Sequence, residues 1–296
     1  MRVGLELKHW LWIGFGVAGV AGTVLIGAAP VASAHSVSSR TELGHSGGAR
    51  GVHERGTAAR GAHGSRRGVL PPDNPAESLA PPFLASCPEG DDGTDCNSTV
   101  LAAIGHARQT LERLGGMSFS LAAYARLTPD EQLFVTVDLE RTERGLTPVV
   151  VLSRSLDKIA QAGAQAGGDP AIGAVPQRLP GGGRAAWRGG TWAGGWTNPL
   201  GSDYGWMYDD GPGSGNLACR TAGSAGCWGH RDIILVAFGG AACAGGQYEL
   251  AMGAGHAASA GGYGESDTEL LAGVCGPAPT DAVFTWARAE KLLHIK

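Results

Sequence analysis

His230 stands in the run Cys227-Trp228-Gly229-His230-Arg231-Asp232-Ile233-Ile234-Leu235, with three acids near it in sequence, Asp209, Asp210 and Asp232. An imidazole oriented by a carboxylate can act as acid or base near neutral pH. Asp209 and Asp210 offer a second chemistry, because two carboxyls across a cleft can cleave a glycosidic bond. Adjacent residues at a helix end point about 100° apart, so the pair is also suited to capping the turn before Gly211-Pro212. His230 itself reads equally as a turn histidine bonded to backbone. Ser202 and Ser214 are candidate hydroxyl nucleophiles, but neither lies in a G-x-S-x-G elbow. Walker A, Rossmann and H-E-x-x-H patterns are absent from the sequence.

Four aromatics, Trp192, Trp196, Trp206 and Tyr208, fall in or beside a glycine-rich stretch. Rings on such a loop can form the wall of a ligand cleft for a glycan or lipid. They can also plug the core from a long loop.

These residues need a frame. Helical spacing of Val100, Leu101, Ile104, Leu111 and Leu114 predicts a helix over about 99–114, capped by Asn97 or Ser98 and stopped at Gly115. A loop follows over 116–127. Thr128-Pro129-Asp130-Glu131 carries an N-cap, a proline at the first helical position and a capping-box glutamate. That second helix ends at Gly145 and places Glu140 and Arg144 at ion-pair spacing. A third helix over about 154–166, capped by Ser153 or Ser155, turns Leu156, Ile159, Ala160 and Gly163 to the core. Residues 167–202 read as a glycine-rich loop and 203–208 as a short helix. Residues 233–238, 248–252 and 282–286 have the length and apolarity of strands. Helices first and strands later predict an α+β fold with an antiparallel sheet.

All six cysteines, Cys87, Cys96, Cys219, Cys227, Cys243 and Cys275, lie beyond residue 80. The even count after an export signal predicts three disulfides, and local pairing gives 87–96, 219–227 and 243–275 as the simplest of the possible connectivities. No C-x-x-C spacing supports zinc. The export signal is read over 1–34: Arg2 and Lys8, an apolar run from Leu11 to Ala29, then Ala32-Ser33-Ala34. An uncleaved anchor is the alternative. Residues 35–80 have the composition of a disordered linker. His35, His45, His53 and His63 are scattered through it with nothing to hold them in one metal-binding geometry. Residues 81–127 are expected to form a helical extension and 128–296 the main domain. Residues 81–296 carry 22 acidic and 15 basic side chains, a net charge of −7, which argues against nucleic acid as a partner.

Laid out in this order, the chain resembles the CAP superfamily, the secreted domain of cysteine-rich secretory proteins, venom antigens and plant pathogenesis-related proteins. The matching residues are Leu139-Glu140-Arg141, Arg144-Gly145-Leu146, Pro148, Leu156 and Ala160. Trp206-Met207 follows, then an inserted acidic, cysteine-bearing loop, then Gly229-His230-Arg231-Asp232-Ile233-Ile234-Leu235, and finally Met252-Gly253-Ala254-Gly255. The resemblance covers roughly 130–260 and implies an α-β-α sandwich around a small antiparallel sheet. It also implies a central cleft that in many members holds a divalent metal on two His and two Glu. His230 matches the second histidine. The first is expected near Asp169-Pro170 and a glutamate near Thr191-Trp192, and neither residue type stands there. No metal and no cofactor are therefore expected in that cleft.

The resulting expectation is a secreted, CAP-like domain at the cell envelope that binds a lipid or glycan through Trp192, Trp196, Trp206 and Tyr208, touching membrane only through an uncleaved N-terminus. The alternative is a secreted hydrolase of glycan or peptide using His230 with Asp209 or Asp210. Arg231 is expected to pair with a helix acid, Glu140 or Asp138.

Overall fold

The structure is a computed structural model that describes Cys87 and residues 93–295, apart from 217, 239–242, 244–247 and 261. The export signal (1–34) and the linker (35–80) lie outside the described residues.

The described chain is α+β. Its helices are α1 (Thr94–Glu112), α2 (Leu121–Tyr124), α3 (Pro129–Thr142), α4 (Arg154–Ala166), α5 (Pro199–Tyr208), α6 (Gly229–Ile234) and α7 (Trp286–Leu293). Its strands are β1 (Val149–Ser153), β2 (Arg184–Gly194), β3 (Tyr248–Ala257), β4 (Ser266–Cys275) and β5 (Ala282–Thr285). They form one sheet in the order β2-β4-β3-β1-β5. The sheet is larger than expected and mixed. Three of its pairings are antiparallel, and β1 with β3 is parallel.

Helices cover both faces, and alternation along the strands sorts the side chains between them. Leu250, Met252, Ala254 and Leu271 point to the larger core, which also holds Ile104, Phe134, Val137, Tyr204 and Trp206. Ala251, Leu270, Ala272 and Val274 point the other way, to Leu156 and Ala160 of α4. That helix lies close on the sheet because β3 presents glycine beneath it. A β-carbon on Gly253 would stand 2.2 Å from the carbonyl carbon of Leu156, and one on Gly255 would stand 2.4 Å from the amide of Gln161.

Local signals explain most helix ends. The capping box at α3 forms in both directions, Glu131 N–H to Thr128 Oγ1 at 3.3 Å and Thr128 N–H to Glu131 Oε2 at 3.1 Å. The first turn of α4 is satisfied from a distance: Asp281 accepts from Ser155 N–H and from the Ser153 hydroxyl, each at 2.8 Å. Helix α1 departs from expectation. It starts after Gly93 and closes at Arg113 in a left-handed conformation. Asn97 is buried inside the helix and accepts from Asn198 Nδ2 at 3.2 Å, so it does not cap.

Two further differences matter for the site. Residues 184–194 form a strand paired with β4 along its whole length, from Arg184 opposite Cys275 to Gly194 opposite Ser266. Residues 233–238 form no strand: Ile233 and Ile234 close the short helix α6. A six-residue apolar run carries no periodicity that separates strand from helix, and here capping by distant groups selects the helix.

The expected disulfides are present, Cys87–Cys96, Cys219–Cys227 and Cys243–Cys275, with Cα separations of 5.4, 4.4 and 5.5 Å. They fit an exported, disulfide-bonded protein. No helix among the described residues is long and apolar enough to cross a membrane.

Candidate functional site

His230 is the second residue of α6, and three elements pin that helix. At its start, the Asp210 carboxylate accepts the His230 backbone N–H through Oδ2 at 2.9 Å, while the Asp210 carbonyl accepts from Trp228 N–H at 3.0 Å. At its end, Arg141 of α3 donates to the carbonyls of Ile234 (2.6 Å) and Val236 (3.0 Å). From its flank, Arg231 donates to the carbonyl of Met207 at 2.7 Å and pairs with Glu112 of α1 at 2.7 Å. The acid expected for Arg231 was Glu140 or Asp138. Both are occupied elsewhere: Asp138 accepts from Val149 N–H at 2.6 Å, and Glu140 receives Arg108, Arg144 and the Tyr208 hydroxyl.

The chain enters α6 through Trp228, whose φ of 62° is left-handed. For a bulky residue this costs on the order of 1 kcal/mol or more. The indole of Trp228 packs on Gly211, where a β-carbon would stand 2.3 Å from the ring. The intervening loop is organised by Asn216. Its Nδ2 donates to Asp210 Oδ1 (2.5 Å) and to the carbonyl of Gly226 (3.1 Å), and its Oδ1 accepts from Ala218 N–H (2.9 Å). The Cys219–Cys227 bridge closes the same loop.

Within this frame His230 Nδ1 lies 2.6 Å from Asp210 Oδ1. A carboxylate only accepts, so Nδ1 carries the proton and Nε2 is the nitrogen left to exchange one. Burial pushes the imidazole down, but the Asp210 carboxylate, together with Asp169 and Glu269, outweighs it and holds His230 above the ordinary histidine value.

His230, Asp209 and Asp210 open with Trp192, Trp196 and Trp206 onto one cavity, completed by Ala193, Gly205 and Asn216. It encloses about 210 Å³, part of it open to solvent, with room for about one water molecule. The three indoles are almost wholly buried, so they form its walls with little free ring surface. Tyr208 does not line it; the phenol is fully buried and donates to Glu140 at 2.9 Å. Asp232 is exposed, and the carboxylate on His230 Nδ1 is that of Asp210. The Ser202 hydroxyl donates to Asp267 at 2.6 Å, and Ser214 accepts from Asn216 N–H. The hydroxyls of both serines are thus bonded to groups other than His230.

Three groups near His230 escaped the sequence reading. Asn216 gave no signal, since a loop asparagine is unremarkable. Asp169 has a buried oxygen without a partner, and burial raises its carboxyl to about 7. Glu269 is fully buried beside the Thr191 hydroxyl, and burial raises it to about 8. It stands directly across the sheet from Thr191. Glu269 did leave a trace, an acid inside the apolar run 269–274.

Among the described residues, the group whose ligand atoms approach one another closely enough for a shared metal is His256, Glu265 and Asp267, not His230 and its neighbours. Comparison with protein-family models, curated proteins and solved structures gives no match to this chain.

Proposed function

We propose that the chain is an exported CAP-like domain whose His230–Asp210 pair performs acid–base chemistry in the hydrolysis of a glycan or peptide at the cell envelope. One observation carries this reading: an imidazole fixed by a carboxylate through Nδ1, sharing a solvent-connected cavity with a second acid, Asp209. In this scheme His230 exchanges a proton through Nε2 with a water or a leaving group. Asp210 sets the tautomer and balances the imidazolium. Glu269 stands opposite Thr191, where the family resemblance expects a glutamate. Asp169 stands where it expects a histidine, within electrostatic reach of His230. The glutamate opposite Thr191 supports the CAP-like reading, whereas an aspartate in place of the expected histidine departs from the family pattern.

The test is turnover of a panel of chromogenic glycosides, peptides and esters, together with cell-wall fragments. The reading expects release from at least one class that falls at least a hundredfold in His230→Gln and Asp210→Asn. Release that persists unchanged in both variants, or none from any class, removes the hydrolytic assignment.

The second reading is a binding module for a lipid or glycan, supported by the tryptophan wall of the same cavity. The small volume and the buried rings limit such a ligand to inserting a small polar group. Tryptophan fluorescence that responds to envelope lipids or glycans, with no turnover, would favour it.

A further inference from the structure

The sheet hairpin β3–β4 ends in a second cluster that the His230 chemistry does not use. His256, on β3, faces Asp267, its register partner on β4. Its Nδ1 lies 2.9 Å from Asp267 Oδ1 and 3.2 Å from Glu265 Oε1. All three ligand atoms fall within 4.8 Å of one another. Two donors bound at about 2.1 Å to one ion, at angles between octahedral and tetrahedral, stand about 3.0–3.4 Å apart, and both nitrogen–oxygen separations are close to that range.

The cluster is also held in place. Gln161 of α4 clamps the backbone of His256, accepting its N–H at 3.1 Å and donating to its carbonyl at 2.7 Å. Ser202 of α5 donates to the second oxygen of Asp267 at 2.6 Å, the kind of outer contact that orients a ligating carboxylate. The Ser–Asp–His order rules out a nucleophilic triad, where the hydroxyl must meet the imidazole. Asp267 is fully buried and Glu265 nearly so, while the imidazole keeps about a fifth of its surface open. The charged groups that reach His256 are Asp267, Glu265 and, from the first turn of α3, Asp130. All are acidic, so the field at the imidazole favours a cation.

We propose that His256, Asp267 and Glu265 form a divalent-cation site, taking an ion that accepts mixed nitrogen and oxygen ligands, such as zinc or manganese. Three protein ligands, with the His256 side open to solvent, leave a coordination position for water or an oxygen of a bound solute. The site is separate from the His230 cavity and stands or falls independently of the hydrolytic reading.

The test is cobalt(II) titration of the metal-stripped full chain by visible absorption, repeated with zinc by calorimetry. One equivalent is expected to bind, with affinity at least tenfold weaker in His256→Gln and in Glu265→Gln. Manganese broadening of imidazole resonances gives a readout without substitution: the His256 ring signals should broaden first. No binding below millimolar metal overturns the proposal. Binding that is equal in both variants, or broadening confined to His35, His45, His53 and His63, overturns it as well and assigns the ion to the linker.

Discussion

Nδ1 of His230 lies 2.6 Å from Oδ1 of Asp210, and the other oxygen of the same carboxylate accepts the His230 backbone N–H. One acid thus fixes the ring and the start of the helix that carries it. The site and its scaffold share their hydrogen bonds, so perturbing one perturbs the other, and the following predictions separate them.

Arg231 is a test of scaffold alone. Its guanidinium pairs with buried Glu112 and holds the carbonyl of Met207. Removing one partner of a buried pair typically costs about 3–5 kcal/mol. Arg231→Ala is expected to lower the denaturant midpoint by an equivalent amount, while the His230 imidazole, where the variant stays folded, titrates as before. An unchanged midpoint would show that Arg144, which also reaches Glu112 at 2.6 Å, suffices.

The loop bridge gives a second separation. Cys219–Cys227 closes a short loop, and such a closure contributes about 2–3 kcal/mol on the chain-entropy model. The double variant Cys219→Ser, Cys227→Ser is expected to lose about that much and to speed hydrogen exchange at Ala218 and His230. Protection at His230 equal to wild type would mean that Asn216 and Asp210 hold the loop unaided.

Stability should fall as pH rises above about 5. Burial raises the carboxyls of Asp157 and Asp169 to about 7 from an ordinary value near 3.8. The folded state therefore binds protons that the unfolded state has released, and stability is lost between those values. His230 acts in the same direction, since its folded value is raised; its contribution is whole below about 6.5 and disappears as pH passes the folded value. Thermal melts from pH 5 to 8 should show a falling midpoint, flattened in Asp157→Asn and Asp169→Asn. A midpoint that climbs over that range contradicts the assignment.

The features legible in sequence were those written in short-range chemistry. The capping box at Thr128–Glu131, the third helix and the disulfide pairs each depend on residues close together or on an obligatory partner. Strand β2 was hidden because its glycines, Gly189 and Gly190 among them, carry no side-chain alternation; only its pairing with β4 makes it a strand. Ile233 and Ile234, at the start of the apolar run 233–238, end helix α6 instead of opening a strand because its caps, Asp210 and Arg141, come from elsewhere in the chain. His230 and Asp210 were visible as residue types, but Asn216, Asp169 and Glu269 join them only through the fold. The His256 cluster needs the β3–β4 register, which no local pattern encodes.

Asn216 tests whether the loop sets the acid. Its amide donates to Asp210 Oδ1 at 2.5 Å, so Asn216→Ala leaves that oxygen to His230 alone. The variant is expected to lose about 1–3 kcal/mol and, if the acid–base reading holds, to lower turnover with little change in KM.

The most direct measurement is a nitrogen-15 NMR titration of the His230 imidazole in wild type and in Asp210→Asn. The structure predicts a ring that titrates above the ordinary histidine value, keeps its proton on Nδ1 as it neutralises, and exchanges through Nε2. In Asp210→Asn burial is left unopposed by that carboxylate, so the titration should move down. A neutral ring carrying its proton on Nε2, or a titration indifferent to Asp210, would contradict the account.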